Sequence, residues 1–367
     1  MNNIVPFRSV LIFGGAGFVG SNWAHYLLEN TDAAVHVFDN LSRPGVQKNL
    51  AWLQNSHLGL DRLKVTVADI RDSAAVQRAV NAASEIYHFA AQVAVTTSVN
   101  DPREDFDINV GGTLNILEAA RNSGHRPFLL FTSTNKVYGN LEAGTLVRGL
   151  NRYENPQHAG TTEAQPLDFY SPYGCSKGAA DQYVHDYSRI YGLPTVVFRM
   201  SCIAGPHQFG NEDQGWLAHF LYSAISDVPI TIFGDGRQVR DVLSVDDLLR
   251  AFDAVRGNLQ TTAGQVYNVG GGPRNAVSLL QVIDEVERIV GRRPRLRTAE
   301  ARPGDQLYYV TNYEKLRRAV GWQPRHGVRQ VLERMHEWWR RYRDGAPELP
   351  VGARSASMSA LAPEAAS

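Results

Sequence analysis

The chain has 367 residues, 43% of them hydrophobic, enough for one large domain or two closely joined ones with a substantial core. Lys plus Arg equals Asp plus Glu, 37 each, so no basic field marks a nucleic-acid partner. The only two cysteines, Cys175 and Cys202, have neither metal-ligand spacing nor a disulfide framework, and neither an apolar leader nor a membrane-length apolar run is present; the expectation is a cytoplasmic protein with no metal and no membrane partner.

In chain order, residues 9–13 (SVLIF) read as a buried strand that runs into GGAGFVG. The operative spacing is Gly14-x-x-Gly17-x-x-Gly20, and a helix is expected to start near Phe18. Glycines there permit a tight turn and close approach of backbone to a pyrophosphate, with the helix N-terminus aimed at it. Residues 35–39 (VHVFD) form the second strand and end on Asp39, 19 residues after Gly20. A carboxylate at that place accepts ribose hydroxyls and repels a 2′-phosphate, which favours NAD over NADP; Arg43 nearby pulls slightly the other way.

Strand-like runs recur at 64–68, 85–90, 127–132 and 195–199, separated by segments of helical spacing such as 73–82 and 113–122. That alternation argues for α/β architecture, a parallel sheet covered on both faces with its functional loops at the strands' carboxyl ends. Asp69, after the third run, either faces an adenine ring or caps the helix from Ser73. His88 is expected to support a strand end. Met200, Ser201 and Cys202 follow the sixth run, at a strand's carboxyl end, with Cys202 mainly as packing.

Beyond residue 200 the pattern loosens. GPHQFGNEDQGW is a polar, glycine-rich loop, and 239–255 and 265–269 again resemble sheet-associated segments. The expected organisation is a nucleotide-binding domain over 1–200 and a smaller substrate domain over 201–345. The chain is expected to cross back to the first sheet near 240–272. Residues 346–367, rich in Ala, Ser and Pro, are expected to form a mobile tail.

The chemistry concentrates in two stretches. In SPYGCSKGAADQY a helix from about Pro172 places Tyr173 and Lys177 four apart on one face. An ammonium beside a phenol favours the phenolate and makes tyrosine usable as an acid/base near neutral pH. In FTSTNKVYG, Thr134 offers a hydroxyl to hold a reacting oxygen. Arg240 and Arg302 offer planar guanidinium groups suited either to an anion such as a diphosphate or to a structural ion pair.

With GGAGFVG, DNLSR, NVGGT, TSTNKVYG, SPYGCSK, FGDGRQVRDVLSVDD and RPGDQ in place, the chain resembles the extended short-chain dehydrogenase/reductase family of nucleotide-sugar enzymes over residues 10–324. The resemblance implies a Rossmann-type doubly wound parallel sheet, NAD as cofactor, a nucleotide-sugar substrate and a catalytic Thr134, Tyr173 and Lys177. It implies a homodimer built through 113–121 and 173–191. It extends the cofactor set to Phe18, Val19, Asn40, Ser42, Arg43, Ile70, Ala90, Ala91, Gln92, Asn109, Thr132 and Met200. It extends the substrate set to Gln92, Val93, Asn135, Lys136, Ser201, Cys202, Gln214 and Gly215.

Within that family, 4,6-dehydratases follow the hydroxyl residue with an acidic pair that removes a proton and expels water. Asn135 and Lys136 stand there instead, so dehydration is disfavoured, and the cysteine of one 3,5-epimerase pattern is absent too. What remains is hydride transfer at one carbon. TNKVYG, HFAAQVAVTTSV, SPYGCSKGAADQY and DQGW are similar to 2-epimerases of CDP-linked sugars, with His207 and Ala91 in places where Arg and Gly are expected. The expected activity is NAD-dependent 2-epimerisation of a nucleotide-linked sugar, CDP-linked, with residues 140–170 as a lid. The alternatives are a 4-epimerase and a dinucleotide-sensing regulator without turnover.

Overall fold

The computed structural model describes residues 8–141, 146–156, 159–302 and 304–345. The tail expected from 346 lies outside the described residues.

Seven short runs make one parallel sheet: β1 (Ser9–Phe13), β2 (Ala34–Asp39), β3 (Leu63–Val67), β4 (Glu85–His88), β5 (Phe128–Thr134), β6 (Thr195–Met200) and β7 (Gln265–Val269), in the spatial order β7-β6-β5-β4-β1-β2-β3. The central strands read as apolar runs because both faces are covered; all seven residues of β5 are buried. One face packs on helix Phe18–Asn30, through Trp23 and Leu27, and on helix Val245–Arg256, through Leu248 and Phe252. The other packs on helices Ser73–Val80, Gly112–Asn122 and Ser171–Tyr191, through Val76, Ile116 and Val184. Strand order reverses between β1 and β4, and such a reversal opens a crevice at the carboxyl ends of the strands.

After β6 the chain leaves the sheet. Cys202–Ala204, Val239–Ser244, Ala276–Ser278 and Tyr308–Tyr309 form a second, mixed sheet, and Ile230–Phe233 pairs with Leu296–Ala299. Helices Trp216–Ile225, Leu279–Val290 and Val328–Arg343 pack on these strands around Phe220, Val282, Ile283, Leu332 and Met335. Of the two late segments expected to return to the first sheet, Gln265–Val269 pairs in parallel with β6, whereas Val239–Ser244 is the central strand of the second sheet and only the helix after it covers the first. None of the helices among the described residues is long and apolar enough to cross a membrane.

The NVGGT segment carries the start of helix Gly112–Asn122. Helix Pro102–Phe106 continues through a wide turn, Asp107–Gly111, into helix Gly112–Asn122. A Cβ on Gly112 would lie 2.4 Å from the Ile70 side chain, so glycine lets this helix press against the loop after β3.

Candidate active site

A cavity of about 550 Å³ lies between the carboxyl ends of the first sheet and the second group of strands. Every candidate cofactor and substrate residue lines it except Gln92 and Asn109.

The cofactor wall is built by the glycine turn. Gly14 adopts φ +76°, and a Cβ there would meet the Ala90 nitrogen at 2.6 Å. A Cβ on Gly20 would meet the Gly14 carbonyl at 2.2 Å. Bare backbone therefore brings the start of helix Phe18–Asn30 against β1, with its free N–H groups at the cavity. Asp39 Oδ2 accepts the Ala16 N–H at 3.0 Å, and Oδ1 accepts the Leu41 N–H at 2.9 Å. Burial raises this carboxyl, while those backbone donors and Arg43 draw it back down. A carboxylate has about four acceptor positions, so it keeps capacity for ribose hydroxyls. The cradle closed to any Cβ, the helix N-terminus and Asp39 fit a dinucleotide.

Asp69 lines the cavity and is not a cap: Asp72 caps helix Ser73–Val80, accepting the Ala75 N–H at 3.0 Å. The Arg71 guanidinium, donating to both Asp69 oxygens at 3.0 and 2.8 Å, is the main reason that carboxyl lies at about 2. Gln92 and Asn109 are corrections. Asn109 Oδ1 accepts the Gln92 N–H at 2.9 Å, and its amide donates to the Gln92 carbonyl and to Ser176 Oγ. The Gln92 amide donates to Asp105 at 2.8 Å and to the Ala94 carbonyl. Their polar groups are spent on holding the loop after β4 to helix Ser171–Tyr191, behind the cavity wall.

Tyr173 and Lys177 share one face of helix Ser171–Tyr191, and both line the cavity. The Ser98 hydroxyl accepts the Tyr173 N–H at 3.1 Å, which fixes the first turn. The Thr134 hydroxyl, at the end of β5, hydrogen-bonds the Tyr173 phenol and accepts the Lys136 N–H at 3.2 Å. The Lys177 ammonium lies 4.1 Å from the centre of the Phe131 ring, a cation–π contact. The expected lysine-lowered phenol is not found. Burial pushes Tyr173 up to about 12, against the opposing Thr134 bond, and burial brings Lys177 down to about 7 despite Asp181 and Asp105. The ammonium thus gives up its proton well below the pH at which the phenol does, because both groups are desolvated.

Asn135 and Lys136 turn into the site. The Asn135 amide donates to Gln306 Oε1 at 3.2 Å, and the Gln306 amide donates to the Gly139 carbonyl. Lys136 Nζ donates to the Gly304 carbonyl at 3.2 Å and lies 3.8 Å from Asp305. Its side chain is 19% exposed, and burial with Arg240 nearby lowers it to about 8, so it is not a solvated surface charge. Arg240 donates to Asp305 at 2.7 Å. Arg302 stacks over the Phe233 ring at 3.7 Å. The Ser201 hydroxyl donates to Asp241 at 2.6 Å, and Trp216 Nε1 donates to Cys202 Sγ at 3.3 Å.

The expected lid is elsewhere. No described residue of 140–170 lines the cavity. Instead Tyr153 N–H donates to the Arg237 carbonyl, Ser278 Oγ to the Asn151 carbonyl and Thr161 N–H to the Val310 carbonyl, so the segment braces the second sheet. Sequence reasoning missed Trp216, His219 and Phe220 on one helix and Thr231 and Phe233 on the strand after it, all lining the cavity. Their spacing reads as core packing, and no local pattern marks them as cavity residues. Away from the cavity, His25, Glu29 and His57 bring donor atoms within 4.8 Å of one another; His25 Nδ1 and His57 Nε2 are at hydrogen-bond distance, 3.0 Å.

Residues 10–270 match the profile of the NAD dependent epimerase/dehydratase family. The chain is 40% identical over 339 residues to CDP-paratose 2-epimerase of Salmonella typhi, covering 90% of this chain and 98% of that one. It is 32% identical over 346 residues to dTDP-glucose 4,6-dehydratase 1 of Escherichia coli, covering 90% and 92%. Among solved structures it superposes on UDP-glucose 4-epimerase of Thermus thermophilus in complex with NAD, with TM-score 0.75 and 31% identity over 91% of this chain and 99% of that one.

Proposed function

The chain belongs to the NAD dependent epimerase/dehydratase family, and from that premise we propose that it inverts C2 of a nucleotide-linked sugar, CDP-linked, through a transient 2-keto sugar. The observation that carries this reading is the wall beside Thr134. Asn135 and Lys136 present an amide and a cation where elimination of water needs acids, in a chain 40% identical to a CDP-paratose 2-epimerase.

When bound, NAD supplies the hydride acceptor and donor. Thr134 holds the C2 oxygen, and Tyr173 takes the proton of the C2 hydroxyl and later returns it. Lys177 stabilises the phenolate and would hold the nicotinamide ribose when NAD is bound. Asn135, tied to Gln306, and Lys136, tied to Gly304, shape the sugar subsite without offering the acidic pair that elimination of water needs. Between oxidation and reduction at C2 the sugar presents its other face.

Tyr183, Ile190 and Tyr191 on helix Ser171–Tyr191 and Phe106 are exposed, 41–66% of their surface, which supports pairing of two copies through this face. The functional test is incubation with CDP-, UDP-, GDP- and dTDP-sugars, with NMR of the products. Inversion at C2 of a CDP-sugar supports the reading; inversion at C4 of a UDP-sugar selects the 4-epimerase; binding of NAD and sugar without turnover selects the sensor.

A further inference from the structure

The loop between Gly210 and Gly215 has a closed base. Gly215 adopts φ +72°, and a Cβ on Gly210 would lie 2.4 Å from the Gly215 carbonyl, so the loop's two ends touch. Asn211 ties the base, its N–H donating to the Gln214 carbonyl at 2.8 Å and its side-chain oxygen accepting from Gln214 N–H at 2.9 Å. The tip, Glu212 to Gln214, lines the cavity and reaches across it. On the nucleotide side Arg43 donates to Gln214 Oε1. On the other side Arg302 donates to the Glu212 carbonyl at 3.1 Å, and its guanidinium lies 3.3 Å from Asp213 and 3.7 Å from the Glu212 carboxylate.

Arg302 is thus held between two carboxylates and the Phe233 ring, with its side chain 24% exposed, inside a cavity suited to an anionic ligand. We infer that Glu212 and Asp213 are specificity-determining residues, internal anions that occupy Arg302 until the diphosphate of a substrate displaces them. The inference rests on the proposed nucleotide-sugar reading. A ligand must replace two carboxylates at one guanidinium, so a diphosphate, with two phosphoryl groups, competes better than a monophosphate. The exchange also frees the tip from one side of the cavity, leaving Gln214 on Arg43 as its remaining attachment.

The pairs are half exposed, so each is weak, and displacement is easy enough for turnover. Neutralising both carboxylates removes the internal competitor. The isosteric double variant Glu212→Gln/Asp213→Asn keeps the loop backbone and its contact from the Glu212 carbonyl.

The test is calorimetric binding of CDP, UDP, dTDP, GDP and the corresponding monophosphates to the full-length protein at several salt concentrations. For whichever nucleoside diphosphate the wild type binds, the double variant is expected to bind about two- to fivefold tighter. Its affinity should fall more steeply with salt, and its preference for diphosphate over monophosphate should narrow. Arg302→Gln should weaken the diphosphate and make the Glu212 and Asp213 changes silent. Unchanged or weaker diphosphate binding by the double variant, with an unaltered unfolding midpoint, overturns the inference, as does full affinity in Arg302→Gln. A lowered unfolding midpoint sends the test to the single variants, where Asp213→Asn must reproduce the tightening or the inference fails. Tightening seen with UDP in place of CDP corrects the proposed base and leaves the inference standing. A wild type that binds no nucleoside diphosphate overturns both.

Discussion

Asp181 grips Arg199 with both carboxylate oxygens, each at 2.8 Å, in a place where the carboxylate is fully buried and the guanidinium nearly so. Arg199 also donates to the Tyr138 hydroxyl at 3.1 Å, which in turn donates to Asn268. The pair joins β6 to the catalytic helix one turn beyond Lys177, and the Asp181 charge opposes the loss of the Lys177 proton. Asp181→Asn leaves a buried guanidinium without its counter-charge, and removal of one partner of such a pair costs about 3–5 kcal/mol. Urea unfolding should register that loss; a change under about 1 kcal/mol would mean that the pair contributes little.

Tyr173→Phe keeps the ring in its packing and deletes the proton carrier. Turnover is expected to fall by about two orders of magnitude or more, with NAD retained on the purified protein. Near-normal turnover in steady-state assays would reject Tyr173 as the acid/base.

Lys177 carries a stability cost with a defined sign. Its folded ammonium loses its proton near 7, below the ordinary 10.5, so the folded chain binds fewer protons than the unfolded chain between those limits. Stability rises with pH through that window, and below about 7 the full cost of burying the charge is present. Lys177→Met should therefore be more stable than wild type at pH 6, by at least about 1 kcal/mol, while being inactive. The gap should shrink as pH approaches 10. Denaturant midpoints at pH 6 and pH 9 check this; a variant less stable than wild type at pH 6 contradicts the burial argument.

Asp39→Asn keeps the shape of the ribose-binding corner and removes its charge. A hydrogen bond to a charged group contributes about 1.5–3 kcal/mol, so NAD affinity should fall at least about tenfold. NADP binding, relieved of repulsion, should improve. Calorimetry on the nucleotide-free protein decides; a variant that still excludes NADP would place the discrimination elsewhere.

The sheet was legible because its strands are short apolar runs, bounded by glycine and polar residues and separated by helical spacing. That Thr134 meets Tyr173 and that Tyr173 and Lys177 share one helix face was legible because a strand end and helical spacing fix position locally. Gln92 and Asn109 misled because a polar side chain after a strand looks the same whether it meets a ligand or a neighbouring loop; here each satisfies the other. The 140–170 segment misled because length alone suggested a lid, whereas its direction is set by partners far along the chain, such as Arg237 and Val310. The Tyr173 proton affinity was misjudged because helical spacing reveals a neighbouring charge but not the depth of burial. The contacts of Arg302 with Glu212 and Asp213 join residues about ninety positions apart, beyond the reach of any local pattern.

The central claim is hydride movement at C2, and the most direct measurement follows a CDP-linked sugar deuterated at that carbon. The label should leave C2 and return to the same carbon of the inverted product, and in heavy water no solvent deuterium should enter the carbon framework. Retention of C2 deuterium throughout, with solvent deuterium appearing at C3 or C5, would contradict the account; deuterium transferred from C4 instead would assign the reaction to the 4-epimerase.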